Sequence, residues 1–98
     1  MAMGRYICEL NGLYFEWSSI VDAPVTTGMD LEEFIDYYRE TYGKSSIDDL
    51  YKRLRRVEEK GTSAIEYDLD ELIKCNRAGK NESRLSKGEI YKLIRTSK

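Results

Sequence analysis

Apolar and polar positions alternate from Arg5 to Ser18, then switch to spacings of three and four, so the chain predicts a short sheet followed by helices. Asn11-Gly12 is the favoured pair for a two-residue type I′ turn. Pairing the flanks around that turn sets Leu10 opposite Leu13, Cys8 opposite Phe15 and Tyr6 opposite Trp17, all on one sheet face. The other face carries Arg5, Ile7, Glu9, Tyr14, Glu16 and Ser18 and is expected to be the polar, outward one. Burying Phe15 and Trp17 should contribute several kcal/mol, at ~1.5–3 kcal/mol for each large apolar side chain.

Beyond Ser18, Ile20 and Val21 either extend the second strand or open a third, and Pro24 keeps residues 22–25 extended. Asp30 as N-cap, Glu33 as its capping-box partner and a Met29–Phe34 staple start a first helix. Its stripe of Leu31, Phe34, Ile35, Tyr38 and Tyr42 should face the hairpin, and Gly43 should end it. A second helix runs from Ser46 to about Lys60 with Ile47, Leu50, Tyr51, Leu54 and Val57 inward, and Gly61 stops it. A Ser63–Glu66 box predicts a third helix carrying Ile65, Leu69, Leu72 and Ile73 and ending near Asn76. Residues 77–84 read as a polar loop, and a Ser86–Glu89 box opens a last helix with Ile90, Leu93 and Ile94. The expected fold is α+β. An N-terminal antiparallel β-hairpin, with or without a third short strand, packs on three to four short helices in one domain spanning 1–98.

Composition narrows the function. At 98 residues, 41% hydrophobic and 35% charged, the chain has one modest core and is too apolar for disorder. It has no apolar run near the ~18 residues of a membrane span and no visible secretory pattern. A soluble cytoplasmic protein is therefore expected, with Met3 as a second candidate start behind Met1-Ala2. The absence of histidine removes Ser-His and Cys-His machinery. Cys8 and Cys75 are too few for a zinc cage; they form either one disulfide or, on the simpler reading, two free thiols in a reducing compartment. Asn81-Glu82-Ser83 is a glycosylation sequon in form only. Phosphate-loop, dinucleotide and nucleophile-elbow motifs are missing, and neighbouring acids on a helix do not face each other. The expectation is no enzyme, no cofactor and no metal.

Charge is divided unevenly. Residues 1–43 hold eight acids and two bases, whereas residues 44–98 hold fourteen bases and ten acids. Lys52, Arg53, Arg55 and Arg56 form a basic cluster on the second helix, suited to phosphates or an acidic protein surface. The plainer account is a solvated face with the pairs Asp48–Lys52, Asp49–Arg53 and Arg55–Glu59, each worth ~0.2–0.5 kcal/mol. The second and third helices across Gly61 form a helix-turn-helix in outline only, because Glu66, Asp68, Asp70 and Glu71 would repel phosphate. Of the tyrosines, Tyr6, Tyr38, Tyr42 and Tyr51 fit the core, and Tyr14, Tyr37, Tyr67 and Tyr91 fall at or near the surface. The expected partner-binding residues are Tyr14, Glu32, Asp36, Tyr37, Lys52, Arg53 and Arg56.

Glu9-Leu10, Glu16-Trp17, Val21-Asp22-Ala23-Pro24-Val25, Gly28-Met29 leading into Glu33-Phe34, and Asn76-Arg77-Ala78-Gly79 resemble small uncharacterised accessory proteins of bacteriophages and prophages. The resemblance covers most of the chain and carries no fold or site with it. It implies a non-enzymatic module that binds and modulates or inhibits a host protein. Alternative expectations are an accessory nucleic-acid-binding domain using the second helix and a homo-oligomeric structural part.

Overall fold

Strands β1 (Arg5–Leu10) and β2 (Leu13–Ser18) pair antiparallel in the expected register, with Cys8 opposite Phe15 and Tyr6 opposite Trp17. Asn11 and Gly12 supply the turn at φ 51° and 87°, the left-handed pair that a type I′ turn requires. The structure, a computed structural model, describes residues 4–96; Met1-Ala2 and the second candidate start Met3 lie outside them. A third short strand, β3 (Ala23–Pro24), pairs antiparallel with β2 and gives the order β1-β2-β3. Four helices follow: α1 (Leu31–Tyr42), α2 (Ile47–Lys60), α3 (Leu69–Lys74) and α4 (Lys87–Thr96). The fold is α+β, and no helix among the described residues is long and apolar enough to cross a membrane.

The helices cover both faces of the sheet. Cys8, Leu10, Phe15 and Trp17 pack against Leu69, Leu72 and Ile73 of α3 and Ile90 and Ile94 of α4. Ile7 on the opposite face packs with Phe34 and Tyr38 of α1 and Leu50 and Val57 of α2. The supposed outward face is therefore a second core, and Glu16 and Ser18 are buried on it. Alternation was misleading because a sheet sandwiched between two helix layers excludes water from both sides.

Burying Glu16 demands compensation for its charge. Tyr42 Oη donates to both carboxylate oxygens, at 2.9 and 2.7 Å, and Tyr37 Oη donates to Oε1. Arg5 Nη1 lies 3.3 Å from the same Oε1, and Thr26 Oγ1 accepts from the Glu16 amide at 3.0 Å. The carboxylate's donors come from β1 and α1, so one carboxylate orients two segments, while the Glu16 backbone ties in the chain after β3 through Thr26. Burial, then the hydrogen bond and charge of Glu16, raise the Tyr37 hydroxyl well above its ordinary range and push Tyr42 up to about 12.

The third helix starts later than its Ser63–Glu66 signal suggested. Ser63 Oγ accepts from the Ile7 amide at 2.8 Å, and Ser63 N donates to the Ile7 carbonyl at 2.8 Å. Glu9 N reaches the Gly61 carbonyl at 2.9 Å, so residues 61–63 close the β1 edge. The working capping box is Asp68–Glu71, with reciprocal bonds of 2.9 Å. Tyr51, Leu31 and Ile65 are exposed, contrary to their assignment to inner stripes. On α2 the line meeting the sheet side is Leu50 and Val57 with half-buried Ile47 and Leu54, which turns Tyr51 outward. Both cysteines are free; Cys8 is buried and its thiol is pushed up to about 12 by that burial.

Phe15→Ala should cost about 3–5 kcal/mol in urea unfolding, because it empties the core between the sheet and α3–α4. Ile20→Ala should stay within about 0.5 kcal/mol, since Ile20 is 74% exposed. Raised tyrosine pKa values keep the folded state protonated while the unfolded chain ionises near pH 10. Stability is then fully present below pH 10 and falls as pH rises toward about 12 for Tyr42. Urea midpoints at pH 8, 10 and 11 should show this slope, and Tyr37→Phe with Tyr42→Phe should flatten it.

Candidate docking face

The expected partner residues separate into two groups. Glu32 and Asp36 of α1 and Lys52 of α2 are exposed, with Asp36 paired to Arg39. Tyr14 is half-buried with its ring 6.2 Å from Phe34, and the Tyr37 hydroxyl is committed to Glu16. Arg53 has a side chain only 15% exposed; its Nε holds Asp49 at 2.9 Å and its Nη1 the Arg5 carbonyl at 3.2 Å. Arg56 Nε donates to the Ser63 carbonyl at 2.8 Å. The basic cluster is thus split: Lys52 and Arg55 face solvent, while Arg53 and Arg56 buttress the segments beside β1. Of the three intrahelical pairs expected there, only Asp49–Arg53 closes within 4 Å among the described residues.

A different surface combines exposure, rigidity and concavity. The turn between β2 and β3 presents Ile20, 74% exposed, and Val21, 49% exposed. Exposed apolar side chains occur elsewhere on the surface too, Ile65 and Tyr51 among them, but here two aliphatics stand adjacent in one turn. Ser18 Oγ accepts from the amides of Ile20 and Val21 at 3.2 and 3.3 Å. Arg77, from the segment after α3, clamps the turn from the other side. Its amide donates to the Asp22 carbonyl at 2.8 Å, its Nε to Asp22 Oδ2 at 3.1 Å, and its Nη2 to the Ile20 carbonyl at 3.1 Å. Nη1 reaches Glu82 at 3.0 Å. Asp22 tolerates the left-handed backbone of this turn, at φ 53°.

Beside the turn lies a cavity of about 230 Å³. Tyr6 of β1, Ser19 and Asp22 form one side, and Glu71, Leu72 and Cys75 of the α3 region form the other. Tyr67, 45% exposed, stands at its rim. The volume lies below the ~300–1,000 Å³ of sites for drug-sized ligands and suits one inserted side chain. Only one sequence signal marked this face. Ile20-Val21 is an apolar pair that fits neither the strand alternation before it nor the helix stripe after it.

No protein-family model, curated protein or solved structure matches the chain.

Arg77→Ala should release the turn without unfolding the protein. Amide hydrogen exchange at Ile20 and Val21 should accelerate by about tenfold or more, with a global stability loss under about 1 kcal/mol. Unchanged exchange at both amides would show that Arg77 does not hold the turn.

Proposed function

We propose that this protein is a small non-enzymatic interaction module that docks onto another protein through the Ile20–Val21 turn and the cavity beside it. The observation that carries this reading is an exposed aliphatic pair held rigid by Arg77 and Ser18. A preorganised apolar knob loses little conformational freedom on binding, which is what a small docking surface needs. Aliphatic knobs beside a tyrosine-lined cavity also match the anatomy of interface centres, where aromatic residues are enriched. The charged residues Glu32, Asp36 and Lys52 then act at a distance, steering encounter rather than holding the complex. The likeness to bacteriophage accessory proteins supports a bacterial host protein as the target, masked or modulated in the cytoplasm.

The experiment is quantitative affinity capture from bacterial lysate with three forms of the chain. Ile20→Asp with Val21→Asp should lose the specific partner, because two carboxylates would be buried in an apolar contact. Glu32→Lys with Asp36→Lys should weaken capture mainly at low salt. Equal capture by all three forms would sink the proposal, and light scattering showing self-association through the same turn would replace it with a homo-oligomer.

A further inference from the structure

Arg77 is held from two sides. On one side is the turn before β3, where its Nε bonds Asp22 Oδ2 and its Nη2 the Ile20 carbonyl, both at 3.1 Å. On the other is its own loop, where Nη1 bonds Glu82 Oε1 at 3.0 Å. Glu82 reaches that position through an uncommon backbone. Asn81 and Glu82 stand in succession at φ 58° and 60°, a left-handed pair that asparagine tolerates and glutamate disfavours. Such a conformation persists only where its surroundings fix it. Here the loop is closed at two levels. At its base, the buried Asn76 Oδ1 accepts from the Ala78 and Leu85 amides at 3.2 and 2.9 Å, and its Nδ2 donates to the Leu85 carbonyl at 2.8 Å. Nearer the tip, the Gly79 amide donates to the Ser83 carbonyl at 2.8 Å. A Cβ on Gly79 would fall 2.8 Å from that carbonyl oxygen, so glycine is what admits this closure. Asp22, at φ 53°, brings a second left-handed turn to the same guanidinium.

We propose that residues 77–83 form a latch in which Glu82 positions Arg77 against the Ile20–Val21 turn, so that loss of the Glu82 carboxylate loosens the turn. Guanidinium is a rigid planar fork, and its donors point in fixed directions. With Glu82 holding Nη1, the remaining donors are aimed at Asp22 and Ile20. Without it, the long side chain regains rotamer freedom, and every bond it makes to the turn weakens. Glu82 is thus a positioning residue that acts through Arg77. That a looser turn captures less partner rests on the docking face proposed above.

The test is amide hydrogen exchange on the full chain with Glu82→Gly and Glu82→Ala. Both remove the carboxylate, and only glycine suits the left-handed backbone. Both should speed exchange at the Ile20 and Val21 amides by about two- to five-fold, the range for an exposed ion pair. The Gly79 amide, which reports loop closure, should keep its rate in Glu82→Gly and exchange about five-fold faster or more in Glu82→Ala. The Ala78 and Leu85 amides, held by Asn76, should be unchanged in both variants. About 0.5 M sodium chloride should bring turn exchange in the unsubstituted chain toward that of Glu82→Gly. Unchanged turn exchange in both variants would overturn the latch. A rise confined to Glu82→Ala, or one shared by Ala78 and Leu85, would trace the effect to loop opening and overturn it as well. Affinity capture separates this inference from the docking face. Loss of the partner in the Ile20→Asp, Val21→Asp variant with unchanged turn exchange in Glu82→Gly would leave the docking face standing and sink the latch. Faster turn exchange in Glu82→Gly with full capture by the Ile20→Asp, Val21→Asp variant would do the reverse.

Discussion

A carboxylate sealed between a sheet and a helix sets the terms of this fold. Glu16 is 1% exposed, and its charge is tolerable only while Tyr37, Tyr42 and Arg5 surround it. Those partners tie α1 to the middle of the hairpin and tie the start of β1 to β2. Once α1 sits there, Phe34 and Tyr38 cover Ile7, and α2 completes the layer with Leu50 and Val57. The far face, carrying Phe15 and Trp17, is then left to α3 and α4. A charge that loses all of its partners inside a core is strongly destabilising, so the network restricts how α1 can sit as much as it stabilises.

The sheet edges are managed with the same economy. Residues 61–63 bond along β1, and on the other side β3 and the Met29–Tyr14 bridge bond along β2. Pro24 has no amide hydrogen to offer a further strand, so β3 is a poor template for edge-to-edge pairing. The turn feeding β3 is what remains uncovered, and it is where Ile20 and Val21 stand in solvent. Arg77 ties that turn to the loop after α3, which links the exposed knob to the same layer that walls the cavity. The exposed turn and the scaffold are therefore joined by few, identifiable bonds.

Local signals were the legible ones. Asn11-Gly12 and the six alternating apolar positions around it determined the hairpin register, because turn geometry and side-chain period both act within a dozen residues. Asp30 with Glu33 determined where α1 starts, and Gly61 at φ 81° determined where α2 stops. What misled were residues whose role depends on a distant partner. Ser63 reads as a helix cap until β1 claims its hydroxyl, and Glu16 reads as solvent-facing until two tyrosines from α1 close over it. Arg53 and Arg56 read as a basic patch until the backbone oxygens of Arg5 and Ser63 draw them inward.

The sequence alone thus determined the hairpin and its pairing, the spans of α1 and α2 and the α+β class, since each rests on contacts between near neighbours. Only the tertiary structure decided that the sheet has two buried faces, which charges are spent inside, and that Ser19, Asp22 and Tyr67 line one cavity. Those outcomes depend on which surfaces meet, and groups far apart in the chain, such as the Ile7 amide and the Ser63 hydroxyl 56 residues on, settle that through shared burial and hydrogen bonding.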